Sequence, residues 1–234
     1  MKVIYEGKLN TNDQLFNISR LSMDHIDHIL SLQQLVIETL EKKDILQPLT
    51  LEEFQYILQG QGLMIGAFVE NKLIAFRALM VPPIDEEHLG RDIGLKEEEL
   101  PNVIYQEISN VHPDYRGNGL QKMLAVCIMK ELKVFNQEYS HVCCTVAPFN
   151  IPSLKDKFAQ GMEIAALKVK YSSRLRYIFV KALRDDHYEG QWEITTCRME
   201  DTDGQQELLK QGWRGFRMDN RNGVEWVDFR RKRS

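Results

Sequence analysis

The sequence predicts a mixed α/β (α+β) fold with a small C-terminal α/β extension. Two strand–helix–strand crossings follow an antiparallel start, and the pattern changes near residue 185 to a shorter strand–helix–hairpin series. A chain of 234 residues holds one large domain, or one domain with a small appendage. We therefore assign 1-184 to the main domain and 185-234 to the extension, packed on the main domain or at a dimer interface.

The first half of the chain predicts four strands and two helices. Two short strands open it, in KVIYEGKLN and LFNISRLS. From Met23 to Leu40, apolar residues recur at helical spacing. Thr50 and Glu53 have the spacing of a capping box, so a short helix begins there. The next segment, GLMIGAFVENKLIAFRALMV, predicts two strands joined by a Glu-Asn-Lys turn.

The second half alternates strands and helices. The acidic segment PPIDEEHLGRDIGLKEEELP predicts an excursion from the sheet with at most a short helix. Strand NVIYQEISNV, helix GLQKMLAVCIMKELKVF and strand HVCCTV follow. Another helix lies in NIPSLKDKFAQGM, because Asn150 suits an N-cap, Pro152 the first turn and Gly161 the end. The strands EIAALKVKY and LRYIFVKAL come next, and the extension ends in a hairpin around DNRNG.

The composition argues against several classes of function. The net charge of -4 gives no general reason to expect binding to nucleic acid or membrane. The four cysteines form no CxxC pair, so we expect neither a disulfide framework nor a zinc site, and no metal. The first ten residues contain no apolar core of signal-peptide length, and no apolar run spans a membrane. We expect a cytoplasmic protein.

One strand–helix junction suggests an anion site. The first amides of a helix are unpaired, and glycines let the backbone approach an anion closely. The segment RGNGL has this form, and the amides that would line the cradle belong to Gly117, Asn118, Gly119, Leu120, Gln121 and Lys122. Arg116 adds a guanidinium suited to phosphate oxygens. A tight turn before an ordinary helix is the alternative. The segment is neither a Walker P-loop nor a Rossmann fingerprint.

Two segments of the chain resemble the GNAT superfamily of acyl-CoA-dependent N-acyltransferases. VHPDYRGNGL is similar to its motif A, Q/R-x-x-G-x-G/A, with Gln121 at the place of the final Gly or Ala. NIPSLKDKFAQGM is similar to the later N-x-x-A…G-F helix, with Ser153 and Gly161 in register. The resemblance implies a GNAT-like, mostly antiparallel central sheet flanked by helices.

The resemblance also implies where acetyl-CoA binds. Its pyrophosphate would lie on the amides of residues 117–122. Its pantetheine arm would pair with the main chain of Ser109, Asn110 and Val111, and the later helix start at Asn150 and Ser153 would help hold it. The side chain of Gln121 either points away, so that only its amide is used, or points in and crowds the cofactor.

Acylation of an amine needs a group that accepts its proton. The resemblance favours Glu107, and strand alternation places it on the same face as Ser109 and Val111; a structural acid is the alternative. The Tyr that often protonates the leaving thiolate in the family is replaced by Lys157. Lys157 could donate a proton or reach a phosphate of CoA, but we favour a solvated position on the helix. Tyr171, Tyr177 and water are other proton donors.

Together these residues predict an N-acetyltransferase acting on a primary amine of a small molecule or peptide. A non-catalytic acyl-CoA-binding sensor or regulatory module is the alternative, and a homodimer is possible. The acidic segment either attracts a cationic amine or is a solvated loop. Arg176 either lines the acceptor pocket or pairs across the sheet.

Overall fold

A computed structural model describes residues 3–40, 47–134, 139–171, 173–183 and 191–233. Its strands, in chain order, are β1 (Val3–Lys8), β2 (Leu15–Arg20), β3 (Gly62–Val69), β4 (Lys72–Met80), β5 (Val103–Val111), β6 (His141–Val146), β7 (Glu163–Lys170), β8 (Arg174–Ala182), β9 (Trp192–Arg198), β10 (Arg214–Arg221) and β11 (Val224–Lys232). Its α-helices are α1 (Ile26–Glu38), α2 (Leu51–Tyr56), α3 (Leu89–Asp92), α4 (Leu120–Val134), α5 (Ile151–Ala159) and α6 (Thr202–Lys210).

The chain divides into two compact units. The first consists of Met1–Val81 and Ile104–Gln137, and the second of Pro82–Val103 and Glu138–Ser234. The predicted boundary between residues 184 and 185 lies outside the described residues and stays a prediction.

The first unit is an antiparallel sheet in the order β1-β2-β3-β4-β5. Strand β3 is buried at every position, which agrees with its continuous apolar run. Helices α1 and α2 contribute Ile29 and Phe54 to a core with Phe76 and Ile108. Helix α4 packs on β3 and β4. The predicted capping box is confirmed, because the Thr50 side chain accepts from the Glu53 amide.

A β-bulge interrupts the pairing of β4 with β5. Arg77 lies opposite Ser109, whereas Leu79 lies opposite Gln106, so β5 carries one extra residue between these pairs. Residues directly opposite each other share a face of the sheet. The extra residue therefore reverses the alternation of β5, and it sets the position of Glu107.

The second unit continues from β6 in the order β6-β8-β7-β10-β11-β9, again antiparallel. The C-terminal strands join this sheet where Gly215 of β10 pairs with Ile164 of β7. A Cβ at Gly215 would lie 3.1 Å from the Ile164 Cβ, so glycine permits the close approach. The predicted hairpin around DNRNG is confirmed, with positive φ at Asn222 and Gly223.

The acidic segment forms α3 and a 3₁₀ turn at Glu97–Asn102, as a short-helix excursion predicts. In the part of the chain that the structure describes, no helix is long and apolar enough to cross a membrane.

Candidate functional site: a helix start with free amides

The junction between β5 and α4 forms an open loop around two glycines. A 3₁₀ turn at Pro113–Tyr115 leads into it, and Gly117 and Gly119 have φ values of 80° and 71°. The Met123 amide donates to the Gly119 carbonyl, so Gly119 is the N-cap residue of α4. Glycine suits this backbone conformation, and it has no side chain with which to cap the helix.

Six consecutive backbone amides, from residue 117 to residue 122, donate a hydrogen bond to none of the residues that the structure describes. Helix α4 is 15 residues long, so its partial positive charge adds to these donors. The exposed faces of Gly117 and Gly119 carry no Cβ that would block an approaching oxygen. This geometry suits a pyrophosphate.

The loop is braced from the turn between β1 and β2. The buried Asn118 side chain accepts from the Thr11 amide at 3.0 Å and donates to the Tyr115 carbonyl at 3.1 Å. Asn10 donates to the Asn118 carbonyl at 3.4 Å. The contacts of Asn118 with Asn10 and Thr11 join residues more than 100 positions apart, and they hold the loop while leaving its amides free.

Two arginines lie at this helix start. Arg116 is exposed, and its Nη2 donates to the Thr39 hydroxyl at 3.3 Å, so it can turn toward an anion. Arg77 is 1% exposed and donates to the Gln121 carbonyl at 3.1 Å and to Gln106 Oε1 at 2.9 Å. Sequence reasoning missed Arg77, although a charge inside the apolar strand segment IAFRALM was the available signal.

Other residues of the cradle differ in burial. Leu120 is buried and anchors the first turn of α4, Gln121 is half-buried, and Lys122 is exposed. Arg77 donates to the Gln121 carbonyl, and this hydrogen bond fixes the backbone at position 121, where the family motif has Gly or Ala.

Glu107 has the electrostatics of a proton acceptor at neutral pH. Burial and, as the smaller cause, the negative charge of Glu53 on α2 together raise its pKa from 4.5 to about 7. A carboxylate with a pKa near the working pH is suited to general base catalysis. Glu53 was assigned only to the capping box, and its effect on Glu107 required the packing of α2.

The predicted common face is confirmed for Ser109 and Val111, which pair with Arg77 and Ala75, and is wrong for Glu107. The bulge places Ser109 on the face of Arg77 and Gln106, and Glu107 on the opposite face. Simple alternation fails because the bulge adds one residue between Gln106 and Ser109.

Ser109, Asn110 and Val111 pair with Arg77, Phe76 and Ala75 of β4. In the described residues, Ser109 Oγ and Asn110 Nδ2 are buried without a hydrogen-bond partner. The predicted pairing with pantetheine uses the main chain of these residues, and it stays a prediction.

The junction between β6 and α5 is closed by its own cap. The Asn150 side chain accepts from the Ser153 amide at 3.2 Å, and Pro152 lies in the first turn. This confirms the predicted N-cap, while the predicted contact of Asn150 and Ser153 with pantetheine stays a prediction.

Two suggested proton donors have structural roles instead. Lys157 is not solvated; it is 8% exposed and its Nζ lies 3.2 Å from Asp156 Oδ2. Lys157 is buried because it lies three residues after the buried Leu154, on the same face of α5. Tyr177 is fully buried, donates to Gln205 Oε1 at 2.8 Å, and burial raises its pKa. Tyr171 is exposed, and its hydroxyl lies 3.2 Å from Thr145 Oγ1.

Acids of the excursion are partly neutralised within the second unit. Asp92 contacts Lys168 at 2.8 Å and Lys170 at 2.7 Å, and Glu87 contacts Lys170 at 3.0 Å. Glu97 pairs with Arg91. These pairs favour a structural role for this part of the acidic segment, because their charges are already compensated.

A metal site has little support from the described side chains. Among them, no group of three or more His, Cys, Asp or Glu is placed to hold a metal ion. His25, His28 and Glu70 line an open cavity of about 340 Å³. The His25 ring forms a hydrogen bond with the Ser22 hydroxyl just before α1.

Comparison with solved structures identifies the fold. The ribosomal-protein-S18-alanine N-acetyltransferase from Escherichia coli matches with a TM-score of 0.53 and 15% identity, over 74% of this chain and 98% of that one. A GNAT-family acetyltransferase from Streptococcus pneumoniae matches with a TM-score of 0.54 and 15% identity, over 72% and 99%. The PaiA N-acetyltransferase from Thermoplasma acidophilum, solved with coenzyme A, matches with a TM-score of 0.50 and 14% identity, over 71% and 98%.

These likenesses show that the chain has the fold of the GNAT N-acetyltransferases, a mixed α/β fold with a mostly antiparallel sheet flanked by helices. The fold predicted from the two motifs is therefore confirmed. No protein-family model matches the chain. No curated protein matches it either.

Proposed function

We propose that the protein is an N-acetyltransferase that moves the acetyl group of acetyl-CoA to a primary amine of a small molecule or peptide. The observation that supports this most directly is the row of unpartnered amides at residues 117–122, which suits the pyrophosphate of CoA. The neighbours of the same fold are N-acetyltransferases, and one was solved with coenzyme A.

In the proposed reaction, the lone pair of the neutral amine attacks the thioester carbonyl carbon. The C–S bond breaks, an amide bond forms, and the CoA sulfur leaves with the electron pair of the broken bond. The proton lost by the amine nitrogen passes to Glu107, directly or through water, because a pKa of about 7 leaves much of this carboxyl ionised at neutral pH. Arg116 and the free amides hold the phosphates of acetyl-CoA. Arg77 supports the first turn of α4 through its hydrogen bond to the Gln121 carbonyl.

One observation favours the second candidate, a non-catalytic acyl-CoA-binding sensor. The position where the family often has a proton-donating Tyr is a buried Lys157, paired with Asp156. Without that donor, the thiolate must be protonated by water or by another group. A protein that binds acyl-CoA without catalysing transfer needs no proton donor for the thiolate.

Two measurements test the proposal. Titration calorimetry with CoA and with acetyl-CoA is expected to give saturable binding to one site per chain; its absence at millimolar CoA contradicts both candidates. A panel of primary amines is then incubated with acetyl-CoA, and free CoA is measured through its thiol. Release that depends on the amine supports the enzyme, whereas tight binding without release for any amine supports the sensor.

A further inference from the structure

Arg176 on β8 is a buried cation with no acidic partner among the residues that the structure describes. Its residue is 5% exposed, its Nε is enclosed by protein, and it donates a hydrogen bond to none of the described residues. A guanidinium stays charged in proteins, and a buried charge is strongly destabilising unless something pairs with it. The described residues therefore supply no carboxylate to this charge.

The surroundings of Arg176 increase the need for an anion. Lys168 lies directly opposite it on β7, and Arg174 lies two residues before it on the same strand. Burial and the charge of Arg174 both lower the pKa of Arg176, and the smaller effect of Tyr171 raises it. Asp92 is an acid of this unit, but its two oxygens are held by Lys168 and Lys170.

Hydroxyl groups lie on the same face of the sheet as Arg176. Ile178 shares that face by alternation and pairs with Thr145 of β6, so Thr145 lies there too. The Thr145 hydroxyl is 3.2 Å from the hydroxyl of Tyr171. These groups can add hydrogen bonds to an oxygen of an anion.

The position of Arg176 along the sheet of the second unit relates it to the start of α5. Tyr177 is opposite Val146, the last residue of β6, so Arg176 lies just beyond the end of that strand. The chain turns there toward Asn150, the start of α5, which the sequence motif assigns to the acyl-CoA site. An anion held by Arg176 thus lies at the end of the sheet from which β6 leads to Asn150.

We propose that Arg176 binds a carboxylate of the acyl acceptor, so that the substrate is an amine that also carries a carboxylate, as an amino acid or the C-terminal end of a short peptide does. This inference rests on the proposed function. One guanidinium presents a planar pair of N–H donors that match the two oxygens of a carboxylate. A terminal phosphate of CoA is the other source of an anion, and the experiment separates the two.

The activity experiment uses L-amino acids, each paired with the amine that remains when its carboxyl group is removed. At least one amino acid is expected to exceed its paired amine in kcat/KM by roughly 10- to 100-fold, because a charge-assisted hydrogen bond contributes that much. Arg176→Gln is expected to bring this ratio near unity through KM, and Arg176→Lys to restore part of it. Arg174→Gln, on the exposed neighbour, is the control that keeps the ratio.

Three outcomes of this experiment contradict the inference. The first is a preference for amines without a carboxylate. The second is an unchanged ratio in Arg176→Gln. The third is a loss of CoA affinity in Arg176→Gln by calorimetry, which assigns the guanidinium to a phosphate of CoA instead.

A stability measurement tests the inference even when no acceptor in the panel reacts. Arg176→Met removes the charged guanidinium and keeps an unbranched apolar side chain that packs like the aliphatic part of arginine. Its Tm without ligand is expected to equal or exceed that of the wild type, since an uncompensated charge is lost. Sodium acetate, compared with sodium chloride at equal ionic strength, is expected to raise the Tm of the wild type and not of Arg176→Met.

A lower Tm of Arg176→Met without ligand overturns the inference, because the guanidinium then stabilises the fold by itself. An equal response of both proteins to acetate overturns it as well. Failure of the proposed function is recognised separately, since it appears as absent CoA binding in the wild type.

Discussion

At two junctions of this protein, β5–α4 and β6–α5, a strand leads through a short loop into a helix. The two helices differ in how their first amides are capped. At β6–α5, the Asn150 side chain caps the helix and Pro152 occupies the first turn, so the junction satisfies its own donors. At β5–α4, Gly119 stands at the N-cap, and the amides of residues 117–122 have no acceptor among the described residues. Backbone amides that have no acceptor within the protein can donate hydrogen bonds to a bound anion.

The strands that enter these junctions also differ. Strand β5 carries Glu107, whose pKa of about 7 makes it responsive at neutral pH. Strand β6 carries Cys143 and Cys144, both buried, and burial raises the pKa of Cys143, which keeps its thiol protonated. In the proposed reaction, the first junction therefore supplies the proton acceptor and the anion cradle, whereas the second begins with a side-chain cap.

The largest effect is expected from Glu107→Gln on acetyl transfer. Removing the base should lower kcat by about 10²- to 10⁴-fold, and should remove the rise in rate with pH centred near 7. Cys143→Ala, in the other strand, is the control, and it should keep that pH profile. A Glu107→Gln enzyme with the wild-type rate and profile would remove Glu107 from the mechanism.

The same variant has an expected signature in stability. The pKa of Glu107 lies higher in the fold than its ordinary value of 4.5, so the wild type loses stability as the pH rises from about 4.5 through 7. Glu107→Gln stays neutral and should become more stable than the wild type by roughly 2–3 kcal/mol at pH 8. Urea unfolding at pH 5 and pH 8 measures this; a difference that does not grow with pH contradicts the raised pKa.

Next in size is Gly119→Asp, which gives α4 the kind of cap that α5 has. The carboxylate would accept from the free amides and repel the phosphates, so CoA affinity should fall roughly 100-fold, since bonds to charged groups contribute about 1.5–3 kcal/mol each. Gly119→Asn tests the cap without the charge and should lose less. Gly223→Asp, at a hairpin glycine with similar φ, controls for backbone strain. Unchanged CoA binding in Gly119→Asp would place the pyrophosphate elsewhere.

Asn150→Ala is expected to act on the other junction and to affect stability first. Loss of the cap should lower the free energy of unfolding by about 1 kcal/mol, and Asn150→Ser should restore most of it. CoA affinity should fall far less than in Gly119→Asp. A loss of CoA affinity as large as that of Gly119→Asp would mean that both junctions bind the cofactor equally.

The smallest expected effect is that of Glu53→Gln. Glutamine preserves the capping box with Thr50 and removes only the charge that acts on Glu107. The midpoint of the pH–rate profile should therefore move below 7, by less than about one pH unit, because burial is the larger cause of the shift. A midpoint that stays in place would show that Glu53 is not coupled to Glu107.

Much of the fold could be predicted from the sequence because its signals are local. Helical spacing, the Thr50 and Asn150 caps and the Asn222-Gly223 turn each depend on residues a few positions apart. The glycines of RGNGL likewise mark a helix start that lacks a side-chain cap. These features predicted the order of elements and the place of the anion cradle.

The tertiary structure alone decided which side chains meet. The bulge that turns Glu107 away from the face of Ser109 depends on the register with β4, which no local pattern specifies. Arg77 reaches Gln121 across 44 positions, and Asp92 reaches Lys168 across 76. Such distant contacts settle whether a charge is paired. Lys170 and Arg176 look alike in the sequence, but the fold pairs Lys170 with Asp92 and gives Arg176 no acidic partner among the described residues.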